Sequence, residues 1–260
     1  TYPRSHLVSD EEPGFYHVVS RCVRRAFLCG ADRFTGRCFE HRRKWIEDRI
    51  VDLAEAFAVS VYSYAVMSNH FHVVLHVDPS AVDSWTDDEV ARRWLAAFPG
   101  PLKRNPTEEL AQRLRMAILS DPERVQELRK RLGSLSWFMK ALNEPIARMA
   151  NLEDGCTGKF WEGRFKCQVL LESQAVLSAM AYVDLNPARA HMAETLEGSD
   201  HTSIKSRLES RDSLTNRSTL TTKPLKPVAG LEAEGLLDMT ETSYIELVRW
   251  TGEQHHPFKR

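Results

Sequence analysis

The residues with the clearest chemical content are Ser68-Asn69-His70-Phe71-His72-Val73-Val74-Leu75-His76-Val77, which read as a strand carrying histidines at i and i+2. Side chains alternate faces along a strand. His70 and His72 therefore project the same way, roughly 6–7 Å apart, with Phe71, Val73, Leu75 and Val77 on the apolar side. Imidazole is the commonest neutral metal ligand, and two of them leave positions open for a third protein ligand, water and a substrate oxygen. Open positions point to catalysis rather than to a structural metal. His76 shares the face but sits about 13 Å beyond His72, too far to join the same ion. His-x-His pairs also occur in strands that bind nothing, so support must come from elsewhere in the chain.

A second group lies on a predicted helix that ends in Tyr182-Val183-Asp184-Leu185-Asn186-Pro187. Tyr182 and Asn186 are i and i+4 and share one helix face. The phenol is a candidate nucleophile and the amide oxygen a candidate metal ligand, while Met180, Val183 and Leu185 serve packing. A formal net charge of -1 does not announce a nucleic-acid partner, but the charge is unevenly placed: from Gly14 to Arg49 there are nine Arg/Lys and four acids. Arg21, Arg24, Arg25, Arg42, Arg43 and Lys44, with Arg164 and Lys166, are candidates for phosphate contacts, and Trp161 or Phe165 for stacking on a base. The competing reading makes them solvated cations and core aromatics. His17 either abuts the histidine pair or is a satisfied core histidine.

Positioning these groups requires a sheet. Phe15–Val23 reads as a first strand after the Pro13-Gly14 turn, and 39–58 has helical spacing at Trp45, Ile46, Ile50, Leu53, Ala54 and Phe57. Strands at 59–67 and 70–77 follow, joined by Ser68-Asn69 as a hairpin. Residues 78–132 read as a helical insertion of solvated helices at 83–98 and 107–131, split by Pro99-Gly100-Pro101. A second core helix spans 135–151 with Pro145 inside it, where a kink or a delayed start is expected. A strand at 160–171 and a helix from Glu172 or Ser173 to Asn186, closed by Pro187, complete the order. The class is α+β: a ferredoxin-like split βαβ antiparallel sheet within a domain 1–194, followed by a C-terminal extension, 195–260. In the extension, 212–230 reads as loop and 240–250 as a helix.

No apolar h-region opens the sequence, and nowhere do 18 apolar residues run together, so a soluble, cytoplasmic protein without a membrane partner is expected. The five cysteines, Cys22, Cys29, Cys38, Cys156 and Cys167, form no C-x-x-C pair. Reduced thiols are expected, and buried cysteine is a better reading of Cys22, Cys29 and Cys38 than a zinc site.

Together, Phe15-Tyr16-His17-Val18-Val19-Ser20-Arg21, His70-Phe71-His72, Phe160-Trp161-Glu162-Gly163-Arg164-Phe165 and Tyr182 through Asn186-Pro187-Ala188-Arg189-Ala190 resemble the single-tyrosine HUH endonucleases, specifically the REP-associated tyrosine transposases. The resemblance spans about 14–190. It implies an HUH fold in which His70 and His72 bind a divalent cation, Mg²⁺ or Mn²⁺, Tyr182 attacks a DNA phosphodiester, and Asn186 is the third ligand. It further implies a bacterial protein, monomer or homodimer, that acts on single-stranded or hairpin DNA of palindromic repeats and is nucleoid-associated when bound.

The chemistry is coherent without the family. A free phenol has a pKa near 10, so about one in a thousand is ionised at pH 7, and a nearby cation acting as Lewis acid and template offsets this. Attack leaves a 5′-phosphotyrosine and a free 3′-OH, so the step can be reversed onto another strand without a nucleotide cofactor. The rivals are a non-catalytic hairpin-binding protein and a metal-dependent hydrolase that uses water. A pure binder has no need of two histidines and a tyrosine.

Overall fold

The computed structural model describes residues 11–23, 28–31, 36–212, 223–232 and 235–254. Its centre is a five-stranded antiparallel sheet in the order β4-β1-β3-β2-β5. The strands are β1 (Gly14–Arg21), β2 (Val59–Val66), β3 (His70–Val77), β4 (Lys166–Leu170) and β5 (Ala229–Gly230). Helix α1 (His41–Ala56) follows β1, and α5 (Leu135–Glu153) follows the hairpin and the insertion. The expected split βαβ sheet is therefore present, with β5 added at the β2 edge.

Alternation along β3 divides the interior. Phe71, Val73, Leu75 and Val77 join Tyr16 and Val18 of β1 and Ile46, Ile50 and Leu53 of α1, together with Phe138 and Leu142 of α5, in one core. Val74 faces the other way, into a core with Val176, Met180 and Val183 of α6 (Ser173–Asp184). A bulge in β2 between Val61 and Ser63 breaks strict alternation. It puts both Tyr62 and Ser63 on the α6 side, since an inserted residue leaves two neighbours facing one way.

The insertion forms α2 (Asp87–Ala97), α3 (Glu108–Leu119) and α4 (Pro122–Leu132). The continuous helix expected over 107–131 is broken at Asp121-Pro122: Asp121 accepts from the Arg124 amide and Pro122 takes a first-turn position, where its missing N–H costs nothing. Nor are these helices merely solvated, because Val90, Ala91, Ile118, Val125, Leu128 and Leu132 extend the α1/α5 core. Pro145 lies inside α5 without delaying its start. The ring removes the donor for the Ala141 carbonyl, and Arg49 of α1 donates its Nε to that carbonyl at 3.3 Å.

Not expected from the sequence is α8 (Ser203–Asp212), which follows the one-turn α7 (Asn186–Arg189). With α9 (Glu241–Gln254), α8 packs on the α6 side of the sheet through Ile204, Leu208, Tyr244, Ile245 and Val248. The clasp is polar as well as apolar. Asp184, fully buried at the end of α6, accepts from Ser203 Oγ at 2.5 Å, Ser63 Oγ at 3.2 Å and the Ile204 amide at 3.1 Å. Its other oxygen accepts from the Tyr244 hydroxyl. Burial raises the Asp184 carboxyl above its ordinary range, against the pull of the Ser203 and Tyr244 hydrogen bonds. Beside it, β5 reaches β2 through Gly230, whose φ of +98° and close approach to the Val59 carbonyl admit no side chain.

Candidate active site

Register brings the histidines together. His70 pairs with Arg21 and His72 with Val19 across β1–β3, while His17 lies two residues before Val19 on the same face. The His70 and His72 rings are 4.8 Å apart. His17 stacks on His72 at 5.1 Å, with its Nε2 2.9 Å from His72 Nδ1. Of the two roles open to His17, it abuts the pair.

Helix α6 crosses this face and delivers Tyr182. Its ring lies 5.8 Å from that of His72 and 6.2 Å from that of His17. The placement follows from helical spacing: Met180, Ala181 and Val183 are buried against the sheet, which leaves Tyr182 on the open side at 43% exposure. Tyr16, Tyr62, Tyr64 and Tyr244 are all buried. The Tyr182 hydroxyl has no hydrogen-bond partner among the described residues. The tyrosine meets the histidines of its own chain.

Burial pushes both histidines of the pair down, His70 to about 4 and His72 to about 3, with Arg21 adding to the effect on each. Both are neutral imidazoles at pH 7, the form that binds metals. His72 is 5% exposed and its Nε2 is a buried nitrogen without a partner. An orphaned lone pair beside a second neutral imidazole fits a divalent cation. Among the described residues there is no cluster of three or more His, Cys, Asp or Glu able to hold a metal, so a further ligand has to be of another type. Asn186 donates its amide to the Tyr182 carbonyl at 3.1 Å and hydrogen-bonds neither histidine; its oxygen is the atom with ligand character.

The shift on His72 has a measurable consequence. Its folded pKa lies below the unfolded 6.5, so the native state binds fewer protons, and stability that is complete above about pH 6.5 is lost as pH falls toward 3. Between pH 7 and pH 5 without divalent ions, His72 alone should cost about 2 kcal/mol. Chemical denaturation at the two pH values should show the loss, and His72→Gln should reduce it to what His70 contributes. Equal stability of the unmodified protein at both would contradict the burial of this ring.

The expected phosphate contacts divide. Arg21, Arg164 and Lys166 are exposed, and Lys166 pairs in register with Val19, which puts it on the histidine side of the sheet. Arg189 was not singled out as a contact from sequence; it is exposed, with its guanidinium 5.7 Å from the centre of the Tyr182 ring. Arg24 and Arg25 lie outside the described residues. Arg42 and Arg43 do not serve as expected. Arg42 is fully buried, with Nε 2.6 Å from Glu153 and an amine nitrogen 2.5 Å from Asp154. Arg43 is buried against Glu40 and the Val66 carbonyl. These arginines are dense in sequence because α1 uses them to fasten α5 and the end of β2. Lys44 is exposed and paired with Asp48 at 2.8 Å, on a helix packed against the opposite face from the histidines.

Trp161 and Phe165 also have interior roles. The indole packs on Phe71 and Phe160 and donates its N–H to the Asn143 carbonyl at 2.9 Å, and Phe165 is 8% exposed. Residues 160–165 form no strand beyond a single bridge from Trp161 to Cys22. Cys22 and Cys29 are buried, as expected, whereas Cys38 is exposed.

If Arg21, Arg164 and Lys166 are the phosphate contacts expected from the sequence, neutralising the three together should weaken binding to all single strands alike. The log-log dependence of affinity on salt should fall by about two units, at roughly 0.7 per contact. A salt titration with matched and scrambled hairpins checks this, and an unchanged slope would show these cations to be merely solvated.

No protein-family model matches the sequence, and no curated protein matches it. Among solved structures, the chain is similar to a REP-associated tyrosine transposase bound to a REP hairpin. Identity is 10% over 92% of this chain and 96% of that chain, with a TM-score of 0.43. A likeness at that level assigns no role to any residue. No helix among the described residues is long and apolar enough to cross a membrane.

Proposed function

We propose that the protein is a metal-dependent single-strand DNA endonuclease and strand transferase that nicks palindromic-repeat hairpins through a 5′-phosphotyrosine on Tyr182. One observation carries the reading: an exposed tyrosine ring 5.8 Å from a buried, neutral histidine whose Nε2 has no partner. Neither packing nor simple DNA binding accounts for that juxtaposition.

In this reading the Tyr182 oxygen forms a bond to phosphorus as the bond to the 3′-oxygen breaks, and the phenolic proton ends on the released 3′-OH. The reverse attack by another 3′-OH rejoins strands. His70 and His72, with Asn186 as candidate third ligand, would hold Mg²⁺ or Mn²⁺, which supplies Lewis-acid polarisation of the phosphate. Arg189, beside the Tyr182 ring, and Arg21, in register with His70, would offer guanidinium groups to the phosphate oxygens. The hairpin substrate comes from the resemblance carried by the sequence motifs.

The test is incubation with single-stranded repeat DNA and Mn²⁺ or Mg²⁺, followed by denaturing electrophoresis. A covalent protein–DNA adduct that is lost on chelation is expected. Cleavage without an adduct would point to water as nucleophile, and hairpin binding with neither product would support a binding protein.

A further inference from the structure

The histidine pair is held by two neighbours that no sequence motif assigns to it. His70 Nδ1 lies 2.5 Å from Asn69 Oδ1, and His72 Nδ1 lies 2.9 Å from His17 Nε2. An amide oxygen only accepts, so the first contact requires the proton of His70 on Nδ1. A neutral imidazole carries one proton, which leaves the lone pair of His70 on Nε2.

The contact between His72 and His17 can be made in either direction, and the far side of His72 distinguishes them. If His17 were the donor, His72 would carry its proton on Nε2, a buried N–H with no acceptor. If His72 donates, Nε2 is a bare lone pair, which a cation satisfies. We propose that His17 and Asn69 are positioning residues that fix His72 and His70 in the Nδ1–H form, so that two Nε2 lone pairs converge on one divalent cation. The proposal deepens the metal-dependent reading above and rests on it. The roles are those of outer partners, which orient ligand rings and set which nitrogen carries the proton.

The test has a readout independent of activity. Long-range ¹H–¹⁵N correlation spectra of the metal-free protein report which ring nitrogen is protonated, and calorimetric titration with Mn²⁺ reports affinity. His70 and His72 should both be Nδ1–H in the unmodified protein. His17→Phe keeps a ring in place but has no acceptor, and should weaken Mn²⁺ binding about 10–100-fold and release His72 from its single form. His17→Gln supplies an amide oxygen and should restore most of the affinity. Asn69→Asp should likewise keep the Nδ1–H form of His70, and Asn69→Leu should lose it.

An Nε2–H form of His72 in the unmodified protein would overturn the proposal, whatever the activity. So would a folded His17→Phe protein with unchanged Mn²⁺ affinity, and that result would leave the metal-dependent function standing. Absence of Mn²⁺ binding by the unmodified protein, with Nδ1–H forms in place, would defeat the metal-dependent reading and this use of it together.

Discussion

Tyr182→Phe should lower strand cleavage by on the order of 10⁴ or more, as loss of a covalent nucleophile does, while hairpin affinity stays within about threefold. The expectation is sharp because the hydroxyl makes no hydrogen bond among the described residues, whereas the ring contacts His17, His72 and Arg189. Phenylalanine keeps the ring and removes only the reacting oxygen. Adduct formation on a denaturing gel and hairpin binding by fluorescence anisotropy separate the two properties. A persistent adduct would remove Tyr182 from the mechanism, and the described alternatives are poor: Tyr16 is 3% exposed, and Tyr62 is fully buried with its phenol pushed up to about 12.

Arg42→Ala should destabilise the fold by about 3–5 kcal/mol, because removing one partner of a buried ionic cluster leaves the others uncompensated. Here the abandoned groups are the carboxylates of Glu153 and Asp154 at the end of α5, and His41 reaches the same Glu153 at 2.9 Å. Lys44→Ala, two residues away, should leave stability essentially unchanged, since its partner Asp48 is half-exposed and the pair is of the weak surface kind. Denaturant titrations of both variants make the comparison. If Arg42→Ala stayed as stable as Lys44→Ala but bound DNA poorly, Arg42 would return to the list of phosphate contacts.

Arg42 and Lys44 show where reading the sequence stops. The order of the core, the hairpin and the shared face of His70 and His72 were legible because strand alternation and helical spacing are local properties. Tyr182 was legible because the apolar residues around it leave one side of α6 open. The fate of Arg42 was not, since a basic run on a helix looks the same whether it faces phosphate or two carboxylates a hundred residues away. The sequence leaves His17 open for a similar reason: its contact with His72 depends on the register of β1 against β3. Helix α8 was missed altogether. Its apolar signal is one i, i+4 pair, Ile204 and Leu208, and its other buried residues, Ser203 and Arg207, are polar; hydrogen bonds to Asp184 and to the Tyr62 carbonyl hold it alongside that pair.

That clasp also orders events in time. Chains are made from the amino end, so α6 and its tyrosine are synthesised before the residues that anchor them. Tyr244 lies 60 residues beyond Asp184, and until it arrives the carboxylate has only part of its hydrogen-bond shell. Gly230, which closes the β2 edge, is likewise a late arrival. A ribosome-bound or prematurely released chain thus carries Tyr182 on a helix whose end still lacks the Tyr244 contact. If the centre cleaves DNA as proposed, a chain that has not yet docked α9 holds its tyrosine less firmly than the finished fold does.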